Sequence, residues 1–302
     1  MRIFLAGATG VMGRRLLPLL VAEGHEVRAI ARSEESRATV ARQGAEAVAV
    51  DLFDPEGVQR AVAGCDAVIN MATRIPMGPA AALRGAWRDN DRIRQEGSRN
   101  LVDAALAAGA GRYVQESIVF VYRDHGAEWI TEASPLDIEF QLQSALDAEA
   151  QAARFTEAGG IGVALRFGAF LDEDSAHTRD AVTMIRRGQS PVFGAPGAYT
   201  SSVMVRDAAR AVVAALHAPA GLYNVVDDEP LTRAEYVAAA ASAFGLAAPK
   251  PLPAAIGKLP RVRVLARSQR VANAVFTRAT GWAPQFPSAR EGWAAVAARA
   301  AA

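Results

Sequence analysis

The sequence predicts an α/β protein, a Rossmann-type doubly wound parallel sheet followed by a smaller C-terminal α/β lobe. Three observations carry this. A short apolar strand, residues 2–6, runs straight into a turn with Gly7, Gly10 and Gly13. Strand-like runs then alternate with helix-like segments, the pattern of βαβ units feeding a parallel sheet covered on both faces. After about residue 170 the alternation loosens and proline-bearing loops interrupt it. The division expected is 1–170 for the sheet domain and 171–302 for a lobe capping a cleft at the strand ends, with some elements crossing between the two.

Each element has its own signal. Helix 11–23 follows the glycine turn and buries Leu16, Leu17, Leu19 and Leu20. Residues 25–31, 45–50 and 67–72 read as strands two, three and four. A loop rich in proline and glycine spans 74–85. Helix 89–108 ends at Gly109, suited to a left-handed C-terminal cap. Strand five begins at 112–116. Helix 144–158 ends in Gly159-Gly160, and 162–167 is strand six. In the C-terminal lobe, 203–205 and 222–226 alternate with helices.

Composition narrows the function classes. Of 302 residues, 51% are hydrophobic and 22% charged, enough for a filled core. A net charge of +1 argues against a nucleic-acid footprint or a polybasic membrane patch. Cys65 is the only cysteine, and His25, His125, His177 and His217 lie far apart. Neither a disulfide framework nor a metal site is expected. The N-terminus shows no basic segment leading a long apolar one, and no window approaches a membrane span, so a cytoplasmic protein is expected.

The run Gly7-Ala8-Thr9-Gly10-Val11-Met12-Gly13 stands between a strand and a helix, the setting in which such spacing binds a dinucleotide. Gly7 permits the tight turn, Gly10 the approach of a pyrophosphate, and Gly13 close packing of helix on strand. Free N–H groups and the helix dipole then hold the anion. Strand two ends in Arg32 and Ser33 where an acidic residue would accept from the ribose of NAD. Arg32 faces a 2′-phosphate instead, with Ser33 and Arg37 nearby, so NADP(H) is favoured over NAD(H). Asp51 and Leu52 stand where the adenine edge would lie, unless Asp51 merely caps a loop. Met71, Ala72 and Thr73, leaving strand four, complete the expected cofactor contacts together with Ser117 and Gly168.

The Gly-Ala-Thr-Gly-x-x-Gly turn resembles that of the extended short-chain dehydrogenase/reductase superfamily, the epimerase/dehydratase type. Other segments agree: Asp66 to Ala72 with its fourth strand, Glu96-Gly97-Ser98-Arg99-Asn100-Leu101 with its fourth helix, Leu165-Arg166-Phe167-Gly168 with strand six, and Asp207-Ala208-Ala209 with a late helix. The resemblance implies a Ser or Thr near the end of strand five and a Tyr-x-x-x-Lys on the next helix. There the Tyr exchanges a proton, while the Lys lowers its pKa and holds the nicotinamide ribose. Here that pair is missing. Matching Ser144 and Glu149 to the family's pattern puts Gln141 at the Tyr position and Ala145 at the Lys position. No Tyr or Lys occurs between residues 123 and 198. The Ser/Thr position falls on Ile118, one place after Ser117. The chain therefore resembles the superfamily's atypical branch.

Hydride transfer belongs to the cofactor, so another group could supply the proton. Tyr122 is a candidate donor or a structural tyrosine. Ser117 could bond the nicotinamide region or a substrate oxygen, or satisfy backbone. Glu116 reads as a buried acid or, better, as the partner of an arginine. Asp124-His125 reads as a solvated turn. Arg74 could grip an anionic substrate group or lie on the surface. Gln141, Phe170 and Met204 are expected to line the substrate side. The expectation is an NADP(H)-dependent oxidoreductase of a small molecule with a non-standard proton donor. A non-catalytic NADP(H)-binding sensor and a non-redox lyase, isomerase or cyclase are the alternatives. The alanine-rich 144–153 face offers a surface for a homodimer.

Overall fold

The computed structural model of the chain describes every residue except 258, 260, 261 and 302. Seven strands form the central sheet: β1 (Arg2–Ala6), β2 (Glu26–Ile30), β3 (Glu46–Val48), β4 (Ala67–Asn70), β5 (Arg112–Ile118), β6 (Ile161–Phe167) and β7 (Gly221–Val225). Their spatial order is β7-β6-β5-β4-β1-β2-β3, and every pairing is parallel. The chain leaves β1 to one side for β2 and β3 and returns to the other for β4 and β5. The carboxyl ends of β1 and β4 thus flank the switch-point crevice where such sheets bind ligands.

Strand alternation sorts the core into two layers. Ile3 and Leu5 face a layer with Leu16, Leu17 and Leu20 of α1 (Gly13–Ala22) and Ala208, Val212 and Ala215 of α7 (Val205–Ala215). Phe4 and Ala6 face the opposite layer. Val58 and Val62 of α3 (Pro55–Val62) and Ala152 and Phe155 of α5 (Gln143–Glu157) lie there. Two crossover helices carry weak sequence signals. α2 (Glu34–Arg42) buries only Val40 and starts from a reciprocal cap between Ser33 and Ser36. α3 is short and begins with Pro55 in its first turn.

The helix expected at 89–108 is interrupted. It runs as α-helix over Arg88–Arg92, as a π-turn over Ile93–Gly97, and as α-helix again over Ser98–Ala107; together these are α4. Gly109 follows in the left-handed region, φ +67°, as its capping role requires.

The strand expected at 222–226 is not part of a separate lobe. It is β7 and pairs with β6 in the main sheet, because Tyr223 and Val225 supply apolar side chains to the α1 layer. α7 packs on the same layer, so the boundary at 170 is crossed twice. The remaining C-terminal part has its own core of Leu171, Val182, Ile185, Met204, Tyr236 and Trp293. It lies among α6 (Ala176–Arg186), α8 (Arg233–Ala243) and a last helix, Ala289–Ala301. Among the described residues no helix is long and apolar enough to cross a membrane.

Packing is tight at the β1–α1 turn. A Cβ on Gly13 would stand 2.1 Å from the Gly7 carbonyl oxygen and 2.5 Å from the Ala8 Cα. Gly13→Ala is therefore expected to destabilise the fold by about 1–3 kcal/mol, read from denaturant unfolding.

Candidate functional site

At the turn, Gly7 has φ +88°, and a Cβ there would meet the Met71 carbonyl at 2.6 Å. Both reasons demand glycine. Gly10 is different: it is exposed, and its Cβ would meet nothing closer than the Gly7 oxygen at 3.4 Å. The protein alone does not require glycine there; a ligand lying on that backbone would. The N–H groups of Val11 and Met12 find no acceptor among the described residues. Thr9 is exposed beside them, while Ala8, Met12 and Gly13 are buried beneath. Unpartnered backbone donors at the start of α1 are what a pyrophosphate needs, so the residues fit a dinucleotide.

Beyond β2, Arg32 is exposed and its carbonyl accepts from the Arg37 guanidinium at 3.2 Å. Ser33 is engaged as the N-cap of α2, accepting from the Ser36 N–H at 3.2 Å. Beyond β3, Asp51 closes a small turn onto the Phe53 N–H at 3.1 Å, and the Leu52 carbonyl accepts from Asn100 at 2.8 Å. Beyond β4, buried Asn70 donates to Ser98 and Gln115 and accepts from the Ala72 N–H at 3.1 Å. That network fixes the Met71-Ala72 backbone against Gly7. Thr73 is exposed at the crevice.

The corner where β5, β6 and α5 meet is held by one carboxylate. Glu149 takes Arg166 through two hydrogen bonds of 2.7 Å and also accepts from the Ser117 hydroxyl at 2.5 Å. Arg166 lies over the Tyr122 ring, 4.8 Å from its centre. The Tyr122 hydroxyl donates to Asn224 of β7 at 2.7 Å. Tyr122 and Ser117 are both 0% exposed. Burial raises the Tyr122 pKa, the opposite of what a proton relay needs. Both hydroxyls expected to be catalytic bind protein groups in the interior of this structure.

Other expected residues also move. Gly168 is required by the protein's own backbone: a Cβ would meet the Ser201 carbonyl oxygen at 2.9 Å. Met204, expected on the substrate side, is 3% exposed in the core of the C-terminal part. Phe170 is partly buried against the α1 layer and Phe167. Arg74 is exposed and paired with Asp89 at 3.0 Å. Asp124 is no free turn residue, since it accepts from the Ser268 N–H at 2.9 Å. Gln141 is 7% exposed, and its side-chain oxygen lacks a partner among the described residues. Glu116 is, as the better reading had it, the partner of an arginine, Arg94 at 2.6 Å.

One contact ties the two parts of the chain together at the turn. Arg15, in the first turn of α1, bonds Asp172 at 3.0 Å, Glu173 at 3.2 Å and Asp174 at 2.8 Å. Arg206 holds Glu173 from α7 at 2.9 Å.

Comparison with known proteins agrees with this geometry. Residues 7–219 match the NAD(P)H-binding family. A 3-diazoavenalumate denitrifying reductase from a Streptomyces species is 33% identical over 97% of this chain and 99% of that protein. The chain belongs to the NAD(P)H-binding short-chain dehydrogenase/reductase superfamily. Its fold is shared with human epimerase family protein SDR39U1, solved with NADPH (TM-score 0.81, 24% identity, 99% of both chains). It is shared also with a UDP-N-acetylglucosamine 4-epimerase from Bacillus cereus (TM-score 0.78, 18% identity, 99% and 98% of the two chains).

As a superfamily member the chain keeps the cofactor turn and departs at the proton relay. Gln141 lies in the turn before α5, and Ala145 is buried in the first turn of that helix. Sequence reasoning missed the inward-facing Arg94. The signal was available: Asn90 and Arg94 continue the inward row of Leu101 and Ala105 along α4, as polar residues where apolar ones belong.

Two outcomes follow. Gly10→Ala should unfold like the wild type yet bind NADPH at least about tenfold more weakly, since only the ligand needs that space. Tyr122→Phe should cost about 1–3 kcal/mol in denaturant unfolding, because it strands the buried Asn224 oxygen.

Proposed function

We propose that the chain is an NADPH-dependent reductase that delivers hydride to a small electron-poor substrate with no protein hydroxyl acting as acid. The observation that carries this is the α5 corner. The sequence match puts Gln141 and Ala145 at the superfamily's Tyr and Lys positions, and the two hydroxyls considered as donors, Ser117 and Tyr122, are tied to Glu149 and Asn224 in the interior.

When bound, the cofactor supplies the hydride. The chain's own residues position it: the 7–13 turn holds the pyrophosphate, and the Asn70 network fixes the backbone beside it. A ketone gathers charge on oxygen as hydride arrives and needs a donor there. An arenediazonium carbon does not. Hydride forms the new C–H bond, the C–N bond breaks with its electron pair leaving on nitrogen, and dinitrogen departs. The name of the Streptomyces relative, a denitrifying reductase of a diazo compound, supports a substrate of that class.

Preference for NADPH is supported by Arg32, exposed at the end of β2 with Arg37 folded against it. Either guanidinium can meet a 2′-phosphate without giving up a buried partner. Ser33 contributes less, because its hydroxyl caps α2.

Calorimetric titration should show NADPH binding tighter than NADH by about tenfold or more, with Arg32→Ala removing the difference. NADPH absorbance should fall on adding an arenediazonium salt, with the hydrodediazotised arene as product and little turnover of simple ketones. Equal affinity for NADH would defeat the Arg32 argument. Rapid ketone reduction would show that a protein acid operates after all. Tight binding with no turnover of any class would favour a sensor, and turnover with no net cofactor change an isomerase or lyase.

A further inference from the structure

The loop between β4 and α4 carries side chains that neither the core nor the cofactor turn uses. Ile75, Met77 and Leu83 are 40%, 56% and 60% exposed, three large apolar side chains within nine residues. Yet the base of the loop is fastened. The Arg74 N–H donates to Asn90 at 3.0 Å, the Arg74 guanidinium pairs with Asp89 at 3.0 Å, and buried Trp87 donates from Nε1 to the Ala81 carbonyl at 2.9 Å. Between these ties run two short 3₁₀ turns, Gly78–Ala82 and Arg84–Trp87. A fastened loop that keeps apolar side chains in water is a contact surface.

Its place says what it contacts. β4 ends at Asn70, and Met71, Ala72 and exposed Thr73 lead straight into the loop at the carboxyl edge of the sheet, beside the switch-point crevice. α5 runs back from that edge to the start of β6, so the turn before it, 139–141, lies at the same edge. Arg84 reaches that turn: its guanidinium lies over the Phe140 ring, 5.5 Å from the centre. Arg263 reaches it as well, bonding Glu139 at 3.0 Å, and Leu265 close by is 45% exposed. The charge is as telling as the apolar surface. Arg84 and Arg88 are exposed, and neither has a carboxylate within ion-pair distance among the described residues, Asp89 being held by Arg74. A guanidinium stacked on a ring keeps the N–H donors along its edge free, and those match a carboxylate. A protein partner would need about 20–30 residues on each side; this patch is a handful of side chains, the size of one small molecule.

We propose that the 74–88 loop is a substrate clamp that selects an aromatic acid. Ile75, Met77 and Leu83 cover the ring, and Arg84 takes the carboxylate with Arg88 beside it. Transfer of the ring from water onto apolar side chains supplies affinity, and the cation beside them fixes which end of the molecule lies there. The anion grip expected of Arg74 thus falls to Arg84, because Arg74 is engaged by Asp89. No buried group has to be uncovered for this contact, since every side chain named for it is exposed. The assignment deepens the reductase reading above and rests on it: that reading concerns the reacting group, this one the remainder of the substrate.

The test is calorimetry in the presence of NADP+, which has no hydride to give, with 3-phenylpropionate and its neutral isostere 3-phenylpropionamide as ligands. The acid should bind about tenfold or more tightly than the amide. Arg84→Gln with Arg88→Gln should remove that difference, and Met77→Ser with Leu83→Ser should weaken both ligands about tenfold. Melting curves check that both variants fold, and NADPH should bind each as it binds wild type. Equal binding of acid and amide to the wild type, or no loss in either variant, would overturn the clamp. Loss of NADPH affinity in a folded variant would overturn it by giving the loop to the cofactor. A fall in sedimenting mass with Met77→Ser and Leu83→Ser would overturn it in favour of a second copy of this chain on the patch. Reduction of arenediazonium salts separates the two readings. Turnover without acid binding sinks the clamp alone, while selective acid binding without turnover sinks the reductase and leaves the loop as a site for aromatic acids.

Discussion

The Glu149 carboxylate fixes the corner on which the rest of the molecule's function turns. It joins α5 to β6 through Arg166 and to β5 through Ser117, and Arg166 in turn seats the Tyr122 ring. Losing one partner of such a buried pair costs about 3–5 kcal/mol, because the other charge is left without water or counter-charge. The carboxylate therefore holds three elements in one arrangement. It also engages the Ser117 hydroxyl, while Asn224 takes that of Tyr122. A structural network stands where relatives with the Tyr-Lys pair place chemistry.

The cofactor side is governed by a different constraint, the absence of room. Gly7 and Gly13 have no space for a Cβ, so the turn lies flat on the end of β4 and α1 starts at a fixed height. Asn70 pins the adjoining backbone from within, and Arg15 anchors the first turn of α1 to the acidic run at 172–174. Rigid support beneath unpartnered N–H groups lets a turn bind an anion without first ordering itself. The two constraints together give a molecule preorganised for its cofactor and stripped of the superfamily's usual acid.

Much of this was legible in the sequence. The glycine spacing, the six early strands and the cap at Gly109 follow from local rules that tertiary packing did not override. The missing Tyr and Lys could be read without any register, since neither residue occurs in the relevant stretch. What could not be read depended on distant partners. The need for glycine at 168 comes from Ser201, thirty-odd places along the chain, which crosses over it. Met204 and Tyr122 looked accessible because strand ends usually are; Trp293 and its helix cover the first, and β7 claims the second. Residues 222–226 were assigned to the C-terminal lobe rather than to the main sheet because a strand's sequence records its burial and not its neighbour. The π-turn has no local signature, so only the polar residues on the inward face of α4 marked it.

The central claim is that hydride passes from the cofactor to the substrate with no protein hydroxyl in the proton inventory. The most direct measurement uses NADPH deuterated at the transferable position of the nicotinamide, an arenediazonium substrate and the double variant Ser117→Ala with Tyr122→Phe. The account predicts deuterium on the product carbon and a turnover rate within a few-fold of wild type once the variant is shown to be folded. Loss of turnover by about a hundredfold or more, the usual effect of removing a general acid, would contradict it.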